Sequence, residues 1–244
     1  MLASTSTSTL LYGKDAVSVD FDSMASGSAT EGVLNSNTTG GTWATNTYTG
    51  GGQTLVHTIE DDNGGSEKAL FSNFPANSDN PSEMWTARIN LDTAIDIDKT
   101  GFGIDFEVGT RMGTGFSKPV TWRLIEGTTE LLKITVNNGT LSVNGNNEGS
   151  IGSGSDTSAV GSSWDSTDDY VWNIDIDVDN SGNVDLVFHG TTATQNVSTS
   201  MVSTANFDRF ECLMDPDNWK GQGIYLSNFV VTTPDPNGSV FRFH

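Results

Sequence analysis

Two carboxylates that share one face of a strand can divide the work of glycoside hydrolysis, one as acid and one as nucleophile, when they stand about 5–5.5 Å apart. Ile104-Asp105-Phe106-Glu107 offers such a pair, with Asp105 and Glu107 opposite an apolar alternation. The same two groups also read as a solvated strand face. A denser acidic run, Asp175-x-Asp177-x-Asp179-Asn180-Ser181-Gly182-Asn183-Val184-Asp185, places carboxylate and amide oxygens on a tight turn. Calcium takes about six to eight oxygen ligands, so Asp177, Asp179 and Asp185 are candidate ligands of a structural calcium. A hand-type calcium loop starting at Asp177 would need Glu where Phe188 stands, and the alternative reading is a hydrated hairpin turn.

Sugars stack on exposed aromatic rings. Trp43, Trp164 and Trp219 lie in Gly-Gly-Thr-Trp-Ala-Thr, Gly-Ser-Ser-Trp-Asp-Ser and Pro-Asp-Asn-Trp-Lys-Gly, which read as loops, and with Tyr48 they are the candidate carbohydrate platforms. Trp85, Trp122 and Trp172 fall in register with apolar neighbours and are assigned to the core. If one sheet is concave, Arg88, Asp105, Glu107 and Arg123 supply polar rows able to bond hydroxyls, or they form paired surface charges worth little. Other chemistries find less support. One cysteine, Cys212, excludes a disulfide framework and reads as a core thiol in Phe210-Glu211-Cys212-Leu213, and with three scattered histidines it gives no zinc set. His57 reads as a surface or cross-strand residue, and no Gly-x-Ser-x-Gly elbow stands between a strand and a helix.

These groups must be positioned by strands. Gly, Asn, Ser or Pro interrupts nearly every window before helical periodicity can develop, whereas period-2 alternation recurs throughout. Trp85-Thr86-Ala87-Arg88-Ile89-Asn90-Leu91 and Phe102 to Val108 each read as half-buried strands. Asn138-Gly139 suits a type I′ turn, which puts Val136 opposite Leu141 and Ile134 opposite Val143. A second hairpin joins Tyr170–Val178 to Val184–His189, setting Asp177 opposite Asp185, and a cation would relieve that repulsion. The Gly/Ser/Thr/Asn-rich stretches 23–53 and 145–168 read as surface loops or irregular edges.

The chain has 244 residues with 31 acidic and 11 basic side chains, a net charge of −20. Nucleic acid is excluded as a partner, because no basic footprint exists to displace counterions. No apolar run reaches the length of about 18 residues that a membrane span needs. The Thr/Ser/Asn/Gly excess with few Lys or Arg fits an extracellular or cell-surface protein, and Met1–Asp15 shows neither the basic nor the apolar region of a signal peptide. One domain is expected over 17–233, flanked by extensions 1–16 and 234–244, of which Ser4–Tyr12 and Gly238–Phe243 could add strands to a neighbouring copy.

The segment order resembles the concanavalin A-like, laminin-G-like jelly rolls of bacterial secreted proteins. The resemblance is carried by the opening strand Val17-Ser18-Val19-Asp20-Phe21-Asp22-Ser23, then Lys68–Phe71, Thr121–Gly127 feeding the Asn-Gly hairpin, the Ile174–Phe188 hairpin, and the closing strand Gly223–Val231. It implies an all-β, antiparallel jelly-roll β-sandwich with ligands in a concave groove or on rim loops. It further implies a calcium between the opening and closing strands, for which Asp20 and Asp22 match, although Ser227 stands where Asp is common. Hydrolases of this fold carry Glu-x-Asp-x-x-Glu, and here Asp105-x-Glu107 is followed by Val108-Gly109-Thr110. The expected function is a secreted, lectin-like module that binds a polysaccharide without catalysis. The alternatives are a structural or adhesive subunit of a surface layer or filament, and a polysaccharide-cleaving enzyme.

Overall fold

The computed structural model describes residues 12–47, 49–50, 53–61, 68–74, 84–111, 119–137, 139–151, 169–190, 193–214 and 222–234. It is a jelly-roll sandwich of two antiparallel sheets. The larger sheet, of ten strands, runs in the order Thr194–Ser200, Asn183–His189, Asp169–Val178, Phe102–Arg111, Gln222–Pro234, Lys68–Phe74, Val56–Asp61 and Gly27–Ser28. Tyr12–Val19 joins it on Gln222–Pro234 and carries Thr38–Thr39 in turn. The smaller sheet has seven strands, in the order Asn146–Ser150, Thr140–Val143, Thr129–Asn137, Val120–Glu126, Asn206–Met214, Met84–Asp96 and Gly41–Thr45.

Each strand turns alternate residues inward, and the two inner faces meet in one apolar core. Aromatic rings bridge the layers: Phe106 meets Phe210 edge-on at 5.1 Å and Trp122 at 6.3 Å, Phe102 stacks on Phe207 at 5.0 Å, and Trp122 meets Trp172 at 6.3 Å. Such pairs add about 0.5–1.5 kcal/mol each beyond the area they bury. Cys212 lies on this inner face, and burial pushes its thiol pKa far up, which makes it the inert core residue its setting suggests.

Both hairpin registers follow the alternation. Val136 pairs with Leu141 and Ile134 with Val143, while Ile174, Ile176 and Val178 pair with Phe188, Leu186 and Val184. The polar stretch 23–53 is in part the irregular edge its composition allows and in part a helix it does not suggest. Thr30 caps a short helix, Glu31–Ser36, through Val33 N at 3.3 Å, and Gly41–Thr45 is an edge strand against Met84–Asp96. Its glycines serve close packing: a Cβ on Gly40 would collide with the backbone carbonyl of Ala16, and one on Gly41 would lie 2.8 Å from Ile89 Cγ2. The domain also begins earlier than residue 17. Tyr12 pairs with Pro234 of the same chain and Lys14 with Thr233, so residues 12–16 belong to the sheet. Residues 1–11 and 235–244, which hold most of the proposed self-associating extensions, lie outside the described residues.

Candidate functional site on the outer face of the seven-stranded sheet

A β-bulge inserts an extra residue and reverses the alternation beyond it. Cys212 pairs with Ala87, but Leu213 pairs with Trp85, so Thr86 is the inserted residue. Its hydroxyl bonds Cys212 O at 3.3 Å. Ala87 and Ile89 therefore face the core while Trp85, expected beside them, is turned to the outer face, where it is only half-buried.

Three rows of directly opposed residues cross this face. The central row is Ala44, Arg88, Glu211, Arg123 and Lys133, contributed by five consecutive strands. Beside it run Trp85, Leu213, Thr121, Thr135 and Ser142, and on the other side Thr42, Asn90, Arg209, Ile125 and Glu130. With neighbouring strands about 4.8 Å apart, the central row is about 19 Å long.

Glu211 is 3% exposed and organises the centre. Its Oε2 accepts from Arg123 Nε at 3.0 Å and Nη2 at 2.8 Å, its Oε1 lies 2.7 Å from Arg209 Nε, and Arg88 Nη1 stands 3.8 Å from Oε1. Arg123 Nη1 reaches Glu130 at 3.5 Å. One buried carboxylate thus bonds one guanidinium and ion-pairs with two more, and the three side chains remain 22–32% exposed. The Arg88 guanidinium also lies 4.3 Å from the centre of the Trp85 ring, a cation–π contact. Its buried Nε, like that of Arg209, makes no hydrogen bond among the described residues.

The sequence-derived candidates divide across the molecule. Arg88 and Arg123 are together in the central row, but Asp105 and Glu107 sit on the outer face of the ten-stranded sheet, so the four do not line one groove. Asp105 opposes Asp175, whose carboxylate lies 3.4 Å from His189 Nε2. Desolvation of its carboxyl within the sheet, with the Asp175 charge beside it, raises the pKa of Asp105 above the ordinary range. Glu107 is buried and accepts from Asn228 Nδ2 at 2.9 Å and Ser227 Oγ at 3.3 Å. Trp43 is a correction: it is 2% exposed, points into the core, donates from Nε1 to Thr38 Oγ1 at 2.8 Å and meets the Phe21 ring edge-on. Tyr48, Trp164 and Trp219 lie outside the described residues.

The acidic turn forms as its spacing suggests, with Asp177 opposite Asp185. Asp179 closes it: Oδ1 accepts from Ser181 N at 2.8 Å and Asn183 N at 2.9 Å, and Oδ2 from Asn183 Nδ2 at 2.8 Å. Asp185 accepts from Ser198 Oγ at 2.8 Å. Asp20 is engaged by Ser23 through its backbone N–H and hydroxyl, which lowers its pKa, and Asp22 accepts from Lys68 N at 2.9 Å. Among the described residues no three carboxylates, histidines or cysteines converge in a metal-binding arrangement. His57 is a buried cross-strand residue, its Nε2 donating to Asn46 O at 3.0 Å and its Nδ1 accepting from Ser72 Oγ at 2.9 Å, and desolvation holds its pKa below normal.

Trp85 and Glu211 were missed by alternation. A Thr between an apolar run and Trp is not a bulge signal, and Glu211 reads as an ordinary outward residue until the three arginines are seen around it.

No protein-family profile matches the sequence, and no curated protein matches it. Solved structures do. The conserved carbohydrate esterase from Shiga toxin-encoding bacteriophage phi24B is 14% identical, with a TM-score of 0.52 over 91% of this chain and 99% of that one. An arabinose-bound α-L-arabinofuranosidase is 12% identical, with a TM-score of 0.46 over 93% of this chain and 28% of its own. The catalytic domain of a GH131 β-glucanase from Podospora anserina is 11% identical, with a TM-score of 0.45 over 73% of this chain and 79% of that domain. At these identities the likeness is one of fold.

Proposed function

We propose that the protein is a carbohydrate-binding module of the concanavalin A-like type that holds a glycan across the outer face of its seven-stranded sheet, without cleaving it. The observation that carries this reading is the bulge at Thr86, which turns Trp85 outward beside the Arg88–Glu211–Arg123–Lys133 row. A ring that can stack on a sugar then adjoins forked donors that can bond hydroxyl and carboxylate oxygens. Arginine stays protonated and cannot shuttle protons, and Glu211 is held as an ion-pair partner by its arginines, so this face binds rather than performs acid–base chemistry. The solved structures of like fold include proteins named for action on carbohydrates, which agrees with the reading. An extracellular setting accords with the Ser/Thr/Asn/Gly-rich, acidic composition.

Retention on immobilised polysaccharides tests the proposal. Wild type is expected to be retained without release of reducing ends or unsaturated products, and Trp85→Ala to lose retention while keeping its melting temperature. Chain shortening by the wild type would overturn the non-catalytic reading. Unchanged retention by Trp85→Ala would remove the glycan from this face.

A further inference from the structure

Alternation along Trp85-Thr86-Ala87-Arg88-Ile89 favours Trp85 on the core side with Ala87 and Ile89, so the bulged arrangement competes with a plain register that the sequence pattern itself supports. The bulge is held from both flanks. On one side the Thr86 hydroxyl reaches Cys212 O at 3.3 Å. On the other, the edge strand Gly41–Thr45 pairs with Met84–Asp96 as far as Thr45 opposite Ala87, and the next residue, Asn46, meets the bulge itself. Its backbone N–H donates to Thr86 O at 2.9 Å and its Nδ2 to Trp85 O at 2.7 Å. In a regular strand two successive carbonyls point to opposite neighbours. Here both are received by one residue on one side.

From this we infer that Asn46 is the positioning residue of the glycan face: by holding both carbonyls of the bulge it keeps the Trp85 ring, and with it the contact to Arg88, on the outer side. Its purpose rests on the glycan-binding reading above, whereas the orientation of Trp85 does not. Asn46 is itself fixed from two directions. Its carbonyl accepts from His57 Nε2 at 3.0 Å, and His57 is buried and held in turn by Ser72 Oγ at 2.9 Å. The residue before it, Thr45, donates its backbone N–H to Glu31 Oε1 at 2.9 Å. The backbone N–H, the carbonyl and the side-chain amide of Asn46 are thus each bonded, and the bulge is tied through it to the strand Val56–Asp61 of the other sheet. The chemistry requires a side-chain donor at this position. An ionised carboxylate of the same shape accepts only, and set against Trp85 O it would repel the carbonyl it should hold.

The test compares the full chain with its Asn46→Asp and Asn46→Ala variants by acrylamide quenching of tryptophan fluorescence and by retention on immobilised polysaccharides. Each protein is paired with a Trp85→Phe counterpart, so that the difference within a pair isolates the Trp85 ring. At pH 7 both variants are expected to show a less accessible Trp85 and retention weakened roughly fivefold. Asn46→Asp alone should recover, relative to wild type at the same pH, as pH falls toward about 5. A carboxyl facing a carbonyl oxygen near the Glu31 charge takes up its proton above the ordinary range, and once protonated it can donate to Trp85 O. Asn46→Ala has no donor to regain and should stay low. Wild-type quenching of Trp85 in Asn46→Asp at pH 7, or a loss there that ignores pH, would make Asn46 a packing residue and overturn the assignment. The expected quenching pattern with no polysaccharide retained by wild type would leave Asn46 as the residue that orients Trp85 and remove the glycan from this face.

Discussion

Arg123 directs both Nε and Nη2 at one oxygen of Glu211, the residue directly opposite it on the next strand, at 3.0 and 2.8 Å. With Arg209 Nε ion-paired 2.7 Å from the other oxygen, a carboxylate 4% exposed at its side chain is balanced by guanidinium charge rather than by water. Burial of a lone carboxylate is costly, so its presence on an outer strand face follows from these arginines. They in turn are held in fixed geometry by it, which is what a recognition surface needs from its donors.

Glu211→Gln is therefore expected to loosen all three guanidiniums. Hydrogen bonds to charged groups contribute about 1.5–3 kcal/mol each, but the arginines are partly solvated and regain water, so a net loss on the order of 2 kcal/mol is expected. Chemical denaturation would measure it. Glycan retention should fall with it, whereas a variant of unaltered stability would show that the carboxylate is not the organiser of the face.

The tryptophans divide differently from their sequence contexts. Trp172 meets Trp122 and Phe188 at 6.3 and 5.9 Å in the core, and Trp43, read from its glycine-rich surroundings as a loop platform, is equally buried. Replacing either by Ala should cost about 3–5 kcal/mol, a large part of a domain's stability. Trp85→Ala, on a half-buried ring, should leave thermal unfolding nearly unchanged. Melting curves of the three variants side by side check this, and a collapse of Trp85→Ala to the level of the other two would return Trp85 to the core.

What was legible in the sequence was whatever depends on alternation within one strand. The Ile134–Val143 and Ile174–Phe188 hairpins have the registers their turns imply, because a slip by one residue would expose an entire apolar face. What was not legible depends on pairing between distant strands. The bulge at Thr86 exists only relative to Leu213 and Cys212, and it reverses the side to which Trp85 points. Whether Arg88 and Asp105 share a face is decided by which sheet each strand joins, and alternation is silent on that. Glycine was misleading at Gly40 and Gly41, where it marks close backbone approach instead of a loop.

The acidic turn has two readings, a structural calcium site and a hydrated hairpin. Asp179 has both oxygens engaged in closing the turn, and Ser198 donates to Asp185, so an ion there would draw on Asp177 and Asp185 alone among the residues proposed for it. Two monodentate carboxylates fall well short of the ligand set calcium prefers. Melting temperatures in calcium and in chelator should coincide within error. A calcium-dependent rise that disappears in Asp177→Ala with Asp185→Ala would instead establish the ion at this hairpin.

The acidic face of the ten-stranded sheet makes a pH-dependent prediction of its own. Asp105 and Asp175 are directly opposed, and the pKa of Asp105 is raised, first by desolvation and then by the Asp175 charge. A carboxyl whose folded pKa lies above its unfolded value binds its proton more tightly when folded, so its favourable contribution is complete below the unfolded pKa of 3.8 and is lost as pH rises through the folded value. At neutral pH the ionised pair opposes folding, though His189 beside Asp175 offsets part of that. Asp105→Asn should remove the repulsion. With opposed like charges worth about 0.2–1 kcal/mol, and partial solvation placing this pair in the lower part of that range, the melting temperature should rise by roughly 0.5–2 °C at pH 7. The gain should shrink as pH falls through the raised folded value, where wild-type Asp105 takes up its own proton. A gain of the same size on both sides of that value would assign the effect to packing and not to charge.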